Sequence, residues 1–79
     1  AMPSGHLLYT KNIDQPGVIG SMGTLLGTHG VNIARMHLGR DPKKGQAIAL
    51  INIDSEPSEV ALNALRKTSG MLSVKAIKI

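Results

Sequence analysis

Few side chains in this 79-residue sequence are placed to do chemistry. There is no cysteine, which removes disulfides, thiolate metal sites and thiol nucleophiles together. His6, His29 and His37 show no ligand spacing such as HxxxH, and each reads as a surface or turn residue. Ser21 stands in a helical pattern with no histidine base near it in sequence, and no GxSxG elbow occurs. Asp14, Asp54, Glu56 and Glu59 fall at segment ends, where capping accounts for them. With no base–nucleophile pair and no metal cluster, the chain is expected to be catalytically inert, with neither cofactor nor metal of its own.

One grouping fits recognition instead. Asn12 and Asp14 lead out of an apolar run, Pro16-Gly17-Val18 opens a helical pattern, and Asn32 follows Gly30. The first amides of a helix have no intrahelical acceptor and attract a carboxylate. Gly17 has no side chain to block the approach. Asp14 offers an anionic acceptor to an ammonium group, and Asn12 and Asn32 can each donate and accept. Those parts suit a zwitterionic amino acid. On spacing alone a second reading stays open, in which Asn12 and Asp14 only form a turn and Asn32 only starts a strand.

The elements that hold these residues follow from hydrophobic period and punctuation. Leu7 to Thr10 is strand-like, and Asp14-Gln15-Pro16-Gly17 ends it with Asp14 as expected helix cap and Pro16 in the first turn. Val18, Met22, Leu25 and Leu26 mark one helix face, and Gly30 is expected to close that helix in a left-handed conformation. Gly20, Gly23 and Gly27 weaken the same helix, for which close approach to a neighbouring element is the expected reason. Val31 to Arg40 and Gln46 to Asp54 read as a hairpin across Asp41–Gly45. In its second arm Ala47, Ala49, Ile51 and Ile53 oppose Ile48 and Leu50, so both faces ask for cover. Ser55-Glu56-Pro57 reads as the next helix start, with Ser55 or Glu56 as cap. Val60, Ala61, Ala64 and Leu65 are its expected buried stripe, and Gly70 its stop. Met71 to Ile79 is a last strand, with Leu72, Val74 and Ala76 opposing Ile77 and Ile79.

Strand, helix, strand, strand, helix, strand implies an α+β fold: a ferredoxin-like βαββαβ sandwich with a four-stranded antiparallel sheet and two helices on one face. The first and third strands are then central. Residues 1–6 are expected to be a linker or cloning remnant, and 7–79 the domain. So short a chain buries only about 60% of its unfolded surface, which favours association with another copy through the open sheet edges.

Composition narrows the partners. The sequence is 42% hydrophobic and 18% charged, the balance of a folded chain. No apolar run reaches the ~20 residues of a membrane helix, and no signal peptide is expected. The net charge of +4 invites a nucleic-acid reading, but Tyr9 is the only aromatic and the cations are scattered. Single-strand binders stack bases on several rings. Neither nucleic acid nor membrane is expected as a partner.

The run Asn12-x-Asp14-x-Pro16-Gly17-Val18-Ile19-Gly20, followed by Gly30-Val31-Asn32-Ile33-Ala34, resembles the ACT domain, the amino-acid-sensing module of biosynthetic enzymes. The likeness runs from Leu7 to Ile79. The segments H-L-L-Y-T, P-G-V-I-G-S-M-G-T-L-L-G, V-N-I-A-R-M-H-L-G-R and L-S-V-K-A-I-K-I are similar to the C-terminal ACT domain of NAD-dependent dehydrogenases that open serine biosynthesis and are inhibited by serine. The resemblance implies effector contacts at Asn12, Asp14 and Asn32, a loop shaped by Pro16, Gly17 and Val18, and L-serine or another small amino acid as ligand. It implies side-by-side pairing of two domains, with the ligand between the loop of one and Asn32 of the other. Some relatives carry His or Tyr where Asn12 stands. NAD, by the same resemblance, belongs to other domains of a cytoplasmic parent enzyme. The alternative parent is an iron–sulfur L-serine dehydratase or another enzyme of amino-acid metabolism. Other users of this fold fit less well. A metallochaperone needs CxxC, an RNA-recognition module needs aromatics on the central strands, and an acylphosphatase needs an arginine where Asp14-Gln15-Pro16 stands.

Overall fold

The computed structural model describes residues 5–78. Its elements are β1 (His6–Ile13), α1 (Val18–Thr28), β2 (Ile33–Asp41), β3 (Gln46–Ile53), α2 (Glu59–Arg66) and β4 (Met71–Lys78). The four strands form one antiparallel sheet in the order β2-β3-β1-β4, the expected βαββαβ sandwich. β1 starts at His6, which pairs with Ile53 and Lys78, one residue before the expected strand. The rest of the supposed linker lies outside the described residues except Gly5, which forms a bend.

Alternation along the strands sets the two sheet faces. Leu8, Thr10 and Asn12 of β1 and Ala47, Ala49, Ile51 and Ile53 of β3 turn toward the helices and are buried. Met22 and Leu26 of α1 and Leu62 and Leu65 of α2 close over them. A side chain of this kind contributes roughly 1.5–3 kcal/mol on full burial. The other face, with Leu7, Tyr9, Ile48, Leu50 and Ile77 from the same register, carries no helix among the described residues.

The helix ends depart from the sequence expectation in instructive ways. Asp14 does not cap α1. The Ile13 and Asp14 amides donate to Gly70 (2.7 Å) and Gly45 (2.9 Å), which keeps the chain extended past the point where a cap could form. The helix begins instead at Gly17, whose φ of 91° is left-handed and disfavoured for any residue with a Cβ. The other end closes as expected: Gly30 has φ 74°, with Val31 N–H donating to Leu26 and Gly30 N–H to Gly27, a Schellman pair.

α2 starts later than expected. Pro57 bars Glu56 from helical backbone, so Ser58 is the cap, its Oγ accepting from the Ala61 amide at 3.1 Å. Buried Pro57 and Leu62 then occupy the two positions of a hydrophobic staple. The buried stripe is Ala61, Leu62 and Leu65, and Val60, expected inside, is 67% exposed. In β4 the pairing shifts between Lys11 and Asn12, where Asn12 meets Met71. Leu72 becomes the extra residue of a bulge and is exposed, which breaks its expected alternation with Val74. Ile79 lies outside the described residues. The β2–β3 turn is Pro42–Gly45, since Asp41 still pairs with Gln46. The Asp41 carboxylate accepts from the Lys43 and Lys44 amides.

Close packing within the chain does not explain the α1 glycines. A Cβ at Gly20, Gly23 or Gly27 would meet nothing within 4 Å.

Candidate functional site

Gly17 places the exposed start of α1 at the end of the sheet. No side chain caps that end, so the Ile19 and Gly20 amides have no capping acceptor. The preceding loop is held from both sides by the bonds from Ile13 and Asp14. Gly70 also crowds it, because a Cβ there would stand 3.1 Å from Val18 Cγ2. Asp14, exposed beside this loop, has its Oδ1 3.5 Å from Arg40 Nε at the far end of β2. The Arg40 side chain is 67% and that of Asp14 34% exposed, so solvent screens the pair and it contributes about 1 kcal/mol or less. Positive amides, a carboxylate and a guanidinium thus share one rim, which can hold a small molecule carrying both charges.

Asn12 lies beneath that rim. It is 1% exposed, its Nδ2 donates to Ile13 O at 2.7 Å, and its Oδ1 has no partner. Thr10 Oγ1, two residues back on the same face, is also buried and unpaired. A buried acceptor without a donor costs roughly 1–3 kcal/mol.

Asn32 is elsewhere. It precedes β2, whereas Arg40 and Asp14 sit near the end of that strand. At about 3.3 Å per residue the separation is roughly 25 Å. Within one chain, then, Asp14, Pro16, Gly17 and Val18 cluster, with Asn12 below them and Asn32 apart. Asn32 Nδ2 donates to the Asp54 carboxylate, which engages the donor end of the amide and leaves Oδ1 as its acceptor. Sequence reasoning missed Arg40 and Asp54. Asp54 faces Asn32 because the β2–β3 register slips between Ile33 and Arg35, and no residue type announces that slip.

A shallow open groove of about 660 Å³ runs from Gly17 along α1, past Ser21, Thr24 and Thr28 to His29. A smaller cavity of about 150 Å³ lies between Glu56, Leu62 and Lys78. Among the described residues no group of His, Asp and Glu could hold a metal, and no helix is long and apolar enough to cross a membrane.

The fold and this rim define a small ferredoxin-like domain with a ligand-accessible loop at one end of its sheet. The ACT domain family model matches residues 6–70, and the chain belongs to that family. It is 38% identical over 77 residues to D-3-phosphoglycerate dehydrogenase of Bacillus subtilis, covering 98% of this chain and 15% of that protein. The same enzyme of Methanocaldococcus jannaschii is 33% identical over 78 residues, 99% of this chain and 15% of the relative. The chain therefore spans about one-seventh of the length of these relatives and is related to their ACT domain. Among solved structures, the ACT domain of GTP pyrophosphokinase from Chlorobium tepidum superposes with a TM-score of 0.72 at 17% identity, covering 91% of this chain and 95% of that one. A formyltetrahydrofolate deformylase from Pseudomonas putida gives 0.77 at 14% identity, covering 94% and 28%. These two likenesses concern the fold.

Proposed function

We propose that this regulatory domain binds a small amino acid, L-serine, at a site shared by two copies, and thereby feeds back on an NAD-dependent D-3-phosphoglycerate dehydrogenase. The observation that carries the proposal is the separation of Asp14 from Asn32 in one chain. β2 is an edge strand with no partner on its outer side among the described residues. Two antiparallel β2 strands side by side bring Asn32 of one copy beside Asp14 and Arg40 of the other. The serine carboxylate then sits on the first α1 amides and its ammonium on Asp14. The partner's Asn32 takes the hydroxyl or ammonium through its acceptor Oδ1. Asn12 Oδ1, buried and unpaired, gains a donor if the ligand or an ordered water reaches beneath the loop.

Regulatory binding need not be tight. Micromolar affinity corresponds to about −8 kcal/mol, within reach of a few charge-assisted hydrogen bonds in a desolvated crevice. The ligand acts by its differential affinity for two states of the parent, typically 1–3 kcal/mol of coupling. The names of the relatives support this parent over an L-serine dehydratase. Calorimetric titration with serine, glycine and alanine is the test. Serine is expected to bind best, and equal binding of alanine would remove the role assigned to the hydroxyl.

A further inference from the structure

The sheet face turned away from the helices has a definite pattern. Strand register puts Tyr9 between Leu50 and Lys75, and Leu7 between Asn52 and Ile77. Leu50 on central β3 is 39% and Ile77 on edge strand β4 43% exposed, so apolar side chains stand open across this face. Arg35, opposite Asn52 on edge strand β2, and Lys75 on edge strand β4 flank it with positive charge, and Lys11, opposite Ile48, adds a third cation on central β1. His37 adjoins Leu50. Asp41 is the one acid that the register places on this face among the described residues, at its corner, and its carboxylate is taken up by the turn amides. An apolar face carrying charges of one sign is a specific shape of complementarity.

The charge selects the occupant. A second copy laid face to face would bring both sets of Arg35, Lys11 and Lys75 together in a desolvated layer, where like charges cost several kcal/mol. A nucleic-acid strand would find one stacking ring, Tyr9. The relatives extend several-fold beyond the matched segment, so most of a related polypeptide lies outside these residues. We propose that this face docks against an apolar surface carrying Asp and Glu on the remainder of the same polypeptide. This rests on reading the chain as one domain of a longer enzyme, but not on the identity of the effector. Docking here leaves β2 and the Asp14 loop free to pair with a second copy, because edge and face are different surfaces.

Zero-length carbodiimide cross-linking of the full-length polypeptide, read by mass spectrometry, tests it. The expected products join Lys11 or Lys75 to carboxylates outside residues 1–79. They should vanish at ~1 M salt, where the screening length is about 3 Å. Arg35→Glu with Lys75→Glu should lower the remaining Lys11 product about tenfold. Products confined to Lys43 and Lys44, or joining Lys75 to carboxylates of a second copy of residues 1–79, overturn the proposal, as would protection of Tyr9 by added oligonucleotide alone. Serine titration of the same preparation reads the effector site separately. Absent serine binding with the cross-links intact refutes the effector assignment and leaves the docking face standing.

Discussion

At the scale of the residue, Asp14 and Arg40 make a contrast that mutation can read. Asp14 is assigned the ammonium, so Asp14→Asn keeps the shape, removes the charge and should weaken serine binding by about 1.5–3 kcal/mol in calorimetry. Arg40 meets Asp14 through one solvent-screened contact at 3.5 Å, so Arg40→Gln should change affinity by less than about 1 kcal/mol. Equal losses for both would mean that the guanidinium holds the ligand directly. That the chain turns at Asp14, Pro16 and Gly17 before α1 was legible in the sequence because turn chemistry is local, although Asp14 does not cap the helix and Pro16 precedes it. Two features were not. The burial of Asn12 depends on strand parity and on helices that pack over it. The partnership of Asn32 with Asp54 depends on a register slip that leaves no mark in residue type.

At the scale of the element, α1 carries glycines that its own fold does not need. Gly20 and Gly27 are exposed and a Cβ at either would touch nothing, so Gly20→Ala or Gly27→Ala should stabilise the folded chain by about 0.5–1 kcal/mol in denaturant titration. If the groove beside them receives a second copy, the same substitutions should weaken self-association in sedimentation. Stabilisation with unchanged association would assign the glycines no role at the interface. For α2, Ser58→Ala should cost about 1 kcal/mol through loss of the bond to Ala61, whereas Ser55→Ala should be near neutral. The order of elements was readable because apolar period and glycine stops repeat through the chain. Their starts were not, because long-range backbone bonds to Gly45 and Gly70 fix where α1 begins, and Pro57 delays α2. The β4 bulge, too, is a compromise between strands distant in sequence.

At the scale of the whole molecule, the central claim is that two copies complete each effector site, since Asn32 and Asp14 lie at opposite ends of β2 in one chain. The most direct test mixes two crippled forms of the parent polypeptide, Asp14→Asn and Asn32→Ala, and lets subunits exchange. A hybrid pair holds one site with Asp14 from the second form and Asn32 from the first, both native, and one site with neither. Random reassortment of a symmetric pair at equal amounts should return native serine affinity to roughly a quarter of all sites, although neither form alone binds with native affinity. Calorimetry of the mixture resolves that fraction by stoichiometry. Recovery near a quarter is the predicted result. A mixture that binds no better than its two components, after exchange has been verified by mass spectrometry, would contradict the shared site.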